Sequence, residues 1–173
     1  MRSLILQLAV SLDGYIEDRN GAFDWCFTDQ DYGLNELLEG MDALVMGRKS
    51  WELVQQMGDA AQLPPMSVYV CSNTLSEVAA PAQLLRGDAA EQVARLKQAP
   101  GKNIWLWGGA ALTTALVDAG LVDEIALAVH PVLLGGGKPL FSDLARRVPL
   151  RLLHTKAWDT GLVSLTYAPL KNK

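Results

Sequence analysis

Only two cysteines occur, Cys26 and Cys71, and they lie far apart and fit no metal-ligand spacing. No apolar run approaches the roughly 18 residues that a membrane-spanning helix requires. No basic cluster stands out either. With 15 basic and 19 acidic residues the formal net charge is -4, which argues against nucleic acid as a partner. Internal repeats, low-complexity segments and Pro/Gly/Ser-rich linkers are all missing. The start, Met1-Arg2-Ser3-Leu4-Ile5-Leu6-Gln7, runs straight into a strand pattern without a signal-peptide cleavage site. What is present is a chain of 173 residues, 50% hydrophobic and 20% charged, the balance of a chain that buries a full core. The expectation is one soluble, cytoplasmic domain spanning residues 1–173.

The chain alternates strand and helix patterns. Leu4 to Val10 is a nearly unbroken apolar run, the mark of a strand covered on both faces. Ser11 to Thr28 reads as a long loop, with Asp13-Gly14 and Asn20-Gly21 as turns. A helix is expected from Asp31 to Glu39, on the spacing of Leu34, Leu37 and Leu38, closed by Gly40. Strands follow at Asp42–Met46 and Ser67–Cys71, with a helix opening at Gly47-Arg48-Lys49-Ser50 between them. Asp88 caps a helix with Glu91 three residues on. A strand at Asn103–Trp107 turns at Gly108-Gly109 into a helix that ends near Gly120, and Asp123–Val129 is another strand. The tail, Leu150–Ala157 and Leu162–Ala168 around Asp159-Thr160-Gly161, reads as a hairpin with Val163, Leu165 and Tyr167 turned inward. This is an α/β sandwich on a largely parallel sheet with antiparallel strands at one edge. Such sheets bind ligands beyond the C-terminal ends of their strands.

Three strand ends carry chemistry. Gly47-Arg48-Lys49-Ser50 opens a helix, where free N–H groups and the helix dipole favour a phosphate and Arg48 can clamp it. A tight turn with solvated basic residues is the plainer explanation. Gly108-Gly109-Ala110-Ala111 repeats the arrangement, although close helix-sheet packing also explains two glycines. Ser72-Asn73 offers small polar groups for a nucleotide, or is a simple turn. Asp13, Asp29 and Asp31 are carboxyls able to relay a proton over a pocket; an Asp-Gly turn and helix capping are their structural alternatives. His130 and His154 have no partner pattern and are assigned to structure. Pro131 to Phe141, with Gly135-Gly136-Gly137, is too glycine-rich and apolar for a solvent loop, so its backbone should pack against a ligand or a partner chain. Without metal ligands, a Walker-type loop or a nucleophile elbow, the residues by themselves support a nucleotide-cofactor enzyme and nothing narrower.

Four pieces in this order resemble the dihydrofolate reductase superfamily, and most closely the C-terminal reductase domain of bifunctional riboflavin-biosynthesis deaminase/reductases. They are Ser11-Leu12-Asp13-Gly14-Tyr15-Ile16, Met46 to Glu52, Trp107-Gly108-Gly109-Ala110, and Gly120 to Glu124 leading to Pro131 to Gly137. The resemblance implies a three-layer α/β sandwich with a mixed, mostly parallel sheet and a C-terminal antiparallel hairpin. It also implies an NADPH-dependent reductase that transfers hydride to a C=N or C=O of a pyrimidine- or pterin-like small molecule. Gly47, Arg48, Lys49 and Ser50 would then hold phosphates, and Ser72 and Asn73 the adenosine end. Gly108, Gly109, Ala110 and Ala111 would take the pyrophosphate, with Val10 and Ile16 flanking the nicotinamide. A cis Gly108–Gly109 peptide is carried over on the same ground. Asp13 is the first choice for a substrate-side carboxylate, and Asp29 or Asp31 is the equivalent of the pterin-binding acid. Related proteins also imply a homodimer.

Trp107 departs from the acidic residue that riboflavin-pathway domains often place before the glycine pair. Two competitors follow. One is a true dihydrofolate or dihydropterin reductase, which needs Asp29 or Asp31 in the pocket. The other is a non-catalytic nucleotide-binding dimeric scaffold, favoured if Trp25, Trp51 or Trp107 plugs the site.

Overall fold

The computed structural model describes residues 1–58 and 63–170. At its centre is β1 (Leu4–Ser11), whose apolar run serves two cores at once. Leu4 and Leu6 point into one buried cluster and Ile5 into the other, on the opposite face of the sheet. The same alternation holds in β3 (Met41–Gly47), where Ala43 and Val45 face one way and Leu44 and Met46 the other. It holds again in β6 (Asn103–Gly108), with Ile104 and Leu106 opposed to Trp105. Successive strand side chains point to opposite faces, so a strand apolar on both faces needs a layer on each side.

Those layers are helices. α2 (Arg48–Met57) contributes Trp51 and Val54 to one cluster, joined by Leu37 and Leu38 of the short α1 (Leu34–Glu39). α3 (Ala89–Gln98) and α4 (Ala110–Asp118) contribute Val93, Leu112, Leu116 and Val117 to the other. With β4 (Ser67–Cys71), β5 (Gln83–Leu85), β7 (Glu124–His130), β9 (Leu150–Ala157) and β10 (Val163–Pro169), the main sheet has the order β5-β4-β3-β6-β1-β7-β10-β9. All neighbours from β5 to β7 are parallel, and β10 runs antiparallel to both β7 and β9. This is the expected α/β sandwich with a terminal antiparallel hairpin.

Several details differ from the expectation. The stretch Ser11 to Thr28 is not one loop: it contains β2 (Tyr15–Glu17), which pairs antiparallel with the two-residue β8 (Lys138–Pro139) in a separate small sheet. α1 starts at Leu34, not Asp31: the Asp31 carboxylate accepts the N–H of Gly33, ahead of the helix, and that of Asn35, in its first turn. No inward face develops in β10, where Val163 to Pro169 are all half-buried and the strand lies between β7 and β9. No helix among the described residues is long and apolar enough to cross a membrane.

Candidate functional site

Helix caps differ according to what the helix starts beside. α3 has a side-chain cap, with Asp88 Oδ1 accepting the Glu91 N–H at 2.9 Å. α2 and α4 are capped by Gly47 and Gly109, which have no side chain to offer. Their first-turn N–H groups are left for an external acceptor, and the positive end of each helix dipole is unscreened. The two starts are neighbours: a Cβ on Gly109 would stand 3.4 Å from Ser50 Oγ, and one on Gly47 would stand 3.8 Å from Leu112 Cβ.

A cleft opens on each side of this junction. The first, about 260 Å³, is lined by Lys49 and Ser50 of α2, Gly109 before α4, and Leu8 and Ala9 of β1. Ile16, Glu17, Phe23, Cys26, Leu53, Met57, Trp107 and Lys138 complete it. The second, about 330 Å³, lies between Arg48, Cys71-Ser72-Asn73-Thr74, Gly87 and Ala89, with Ala111, Leu112 and Ala115 of α4. Larger hollows of about 420 and 710 Å³ exist at Val122–Asp123 and at Asp42 with Ser67. These flank the N-terminal ends of β7, β3 and β4, whereas parallel sheets place their ligands at the opposite ends.

The structure brings together Ile16, Lys49, Ser50 and Gly109 in one cleft, and Arg48, Ser72, Asn73 and Ala111 in the other. Gly47 caps the helix between them, and Gly108 closes β6 before the turn. Ala110 is buried behind this surface. Val10 is buried in the core, and its place beside Ile16 is taken by Leu8 and Ala9. The Gly108–Gly109 peptide is not cis; the cis bond among the described residues is Ala80–Pro81. The sharp exit from β6 is made by rotation instead: Gly108 and Gly109 take φ of 105° and 78°, which glycine adopts without a Cβ penalty.

Neither Asp13 nor Asp31 lines either cleft. Asp13 accepts the Ser11 hydroxyl at 2.7 Å and the N–H groups of Leu134 and Gly135 at 3.1 and 2.8 Å. The Ser11 hydroxyl most of all, with those two N–H groups, holds the Asp13 carboxyl below the usual carboxylate range against a smaller desolvation cost. Asp31 serves the N–H groups of Gly33 and Asn35 at the start of α1, and Asp29 accepts the Tyr32 hydroxyl. Asn73 spends both ends of its amide on Gly87, bracing the rim of the second cleft.

His130 is a buried strap. Its Nε2 accepts the Phe27 N–H at 3.0 Å and its Nδ1 lies 2.9 Å from Ala128 O, an arrangement that the Nδ1–H tautomer satisfies at both ends. Trp25 and Phe27 pack edge-on against the ring, which holds down the loop from which Phe23 and Cys26 reach the first cleft. Trp51 lies in the core and Trp107 forms cleft wall, so neither tryptophan fills the space. Glu17, Phe23, Cys26, Leu53, Met57 and Lys138 are lining residues that sequence reasoning missed. The one signal for them was the triple glycine. It packs on this chain's own β2 turn, since a Cβ on Gly137 would run into Glu17 O and one on Gly136 into the Arg19 guanidinium.

A family model described as RibD C-terminal domain matches residues 2–164. The chain belongs to the RibD C-terminal domain family. An uncharacterized Bacillus subtilis (strain 168) relative, YyaP, is 41% identical over 96% of this chain and 94% of its own. A solved Shewanella sp. PV-4 structure, named for riboflavin biosynthesis, is 31% identical, covers 98% of this chain and 99% of its own, and superposes with a TM-score of 0.86. Enterococcus faecalis dihydrofolate reductase, solved with NADP(H), is 17% identical over 98% and 97% of the two chains at a TM-score of 0.72, a likeness of fold. Membership of the RibD C-terminal domain family, with these structural neighbours, supports a riboflavin-pathway-like reductase in kind.

Proposed function

We propose that this member of the family is an NADPH-dependent reductase acting on a C=N or C=O of a pyrimidine- or pterin-like small molecule, resembling 5-amino-6-(5-phosphoribosylamino)uracil reductase. The observation that carries the reading is the convergence of two uncapped helix starts, at Gly47 and Gly109, between two clefts. A dinucleotide has two flat ends joined by an anionic middle, and this surface has two hollows joined by free N–H donors. The residues fit the group. First-turn N–H groups after Gly47 and Gly109, with Arg48 and Lys49, hold phosphates, while Ser72 and Asn73 border the adenosine half. Ile16, with Leu8 and Ala9, walls the nicotinamide half, and Val10 backs that wall from the core.

When bound, NADPH supplies the hydride. The protein orients the substrate beside it and keeps water off the apolar wall. Asp13 acts at a distance, fixing the loop that carries Lys138 rather than touching substrate. The homodimer belongs to this proposal as well: β9 is an open sheet edge with Leu150 and Leu152 exposed, and light scattering should give twice the chain mass.

The test is cofactor binding followed by tryptophan fluorescence, which Trp107 in the first cleft should report. NADPH should bind much more tightly than NADH. Arg48→Ala should weaken NADPH about tenfold or more, the scale of one charge-assisted hydrogen bond. It should barely move Tm, because the Arg48–Glu52 pair is exposed and such helix pairs contribute about 0.3–0.5 kcal/mol. Binding of neither cofactor overturns the reading.

A further inference from the structure

We infer that Glu17 and Lys138 form the specificity-determining pair of the first cleft, reading a flat heterocycle along an edge where a ring N–H stands beside a carbonyl. This rests on the reductase reading, because it takes that cleft as the place where the substrate lies beside the nicotinamide.

The two residues are 121 positions apart in sequence yet directly opposed in the register of the β2–β8 ladder. Cross-strand partners of this kind hold their side chains on one face, close together. The approach needs Gly137, which has no side chain to meet Glu17 O. The pair itself is loose. Lys138 Nζ lies 3.5 Å from Glu17 Oε1, and the side chains are 33% and 32% exposed. At that separation the pair is an ion pair with hydrogen-bonding capacity to spare: the ammonium has three donors, and the carboxylate has acceptor sites on both oxygens.

The surroundings say what would use that capacity. Glu17 is the carboxylate of this lining among the described residues, since Asp13 and Asp31 are spent elsewhere. Cys26 is held as the neutral thiol by burial. Ile16, Phe23, Leu53 and Met57 are apolar, and Trp107 presents an indole where an acid was expected. A flat ring gains by burial against such a wall, and its polar edge must then find partners or lose its hydrogen bonds to water. A carboxylate beside an ammonium matches a cyclic amide edge: Glu17 accepts the ring N–H and Lys138 donates to the neighbouring oxygen. Within the pyrimidine- or pterin-like class already proposed, the pair selects a ring that presents a lactam or imide edge.

The competing account makes the pair a staple of the small sheet, and an ion pair this exposed adds little stability. Lumazine and 1,3-dimethyllumazine separate the two, because they share the ring and carbonyls and the second has no ring N–H. With NADP+ present, the full-length protein should bind lumazine at least tenfold more tightly than the dimethyl form. Glu17→Gln and Lys138→Met should each erase most of that preference while Tm and NADPH affinity stay as they were, and Lys138→Arg should retain it. An unchanged preference in both variants, no preference in wild type that binds NADPH, or a loss that tracks a fall in Tm overturns the inference. Failure of wild type to bind NADPH, with the lumazine preference intact, overturns the reductase reading instead.

Discussion

Gly137 lies so close to Glu17 that a Cβ at position 137 would run into the carbonyl oxygen of residue 17, and would also stand 2.9 Å from Asp18 Cα. Its φ of 133° is a conformation that L side chains rarely adopt. Gly137→Ala therefore meets two costs, backbone strain of about 1–3 kcal/mol and a backbone overlap that β2 must move to relieve. Gly33, also at positive φ (82°), has nothing within 4 Å of where its Cβ would be. Chemical denaturation should show Gly137→Ala to be several-fold more costly than Gly33→Ala, and only the former should weaken ligand binding in the first cleft. Equal costs would mean that β2 and β8 are free to separate.

Asp13 should show itself in the acid limb of the stability curve. Its carboxyl is held below the ordinary carboxylate range by Ser11 and by the Gly135 and Leu134 N–H groups. A depressed folded value means the charged form contributes stability at neutral pH, and that contribution is lost as pH falls through the folded value. Asp13→Asn should be less stable than wild type at pH 7. The gap should begin to close below about pH 5, as the unfolded-state carboxyl takes up its proton, and be gone once the folded one has too. Urea melts of both proteins across pH 2.5–7 check this, and a pH-independent gap would remove the charge from the explanation.

What was legible in the sequence was legible for a physical reason. Leu4 to Val10 announced its strand because both faces are buried, Leu4 and Leu6 in one cluster and Ile5 in the other. Gly47 and Gly109 announced helix starts because a glycine between an apolar strand and a helical period is an uncapped turn. The wall of the first cleft was not legible. β2 has three residues and β8 two, too few for any period to register, and the contact joining Glu17 to Lys138 is purely tertiary. The triple glycine said that something comes close without saying what. Asp13 and Asp31 show the converse, since a carboxylate before a turn has the same appearance whether it faces a ligand or its own backbone.

Thr113 offers a test of the core. It is fully buried on α4, and among the described residues its Oγ1 has no hydrogen-bond partner. Its neighbour Thr114 donates to Ser142 O at 3.1 Å. Replacing an unpaired buried hydroxyl by a methyl removes a desolvation penalty, whereas removing a paired one orphans its acceptor. Thr113→Val should raise stability by about 1 kcal/mol, and Thr114→Val should lower it by about the same amount. Denaturant midpoints decide, and a destabilised Thr113→Val would show that the hydroxyl has a partner in solution.

The two thiols report on the two clefts separately. Cys26 lines the first and Cys71 the second. Burial pushes both up to about 11, with the negative charge of Asp24 adding to the effect at Cys26. Only the thiolate attacks a disulfide reagent, so at pH 8 both should react with DTNB at least roughly a hundredfold more slowly than in the denatured chain, whose thiols ionise near 8.5. Because the folded values are raised, the stability linked to these groups is fully present below about pH 8.5 and is lost as pH rises toward 11. Melts on the alkaline side should therefore fall less steeply in Cys26→Ala and Cys71→Ala than in wild type. Saturating NADPH should slow the labelling of Cys71 further, since the adenosine half of the proposed site covers it. Protection of neither thiol by a cofactor that binds would place that cofactor outside both clefts.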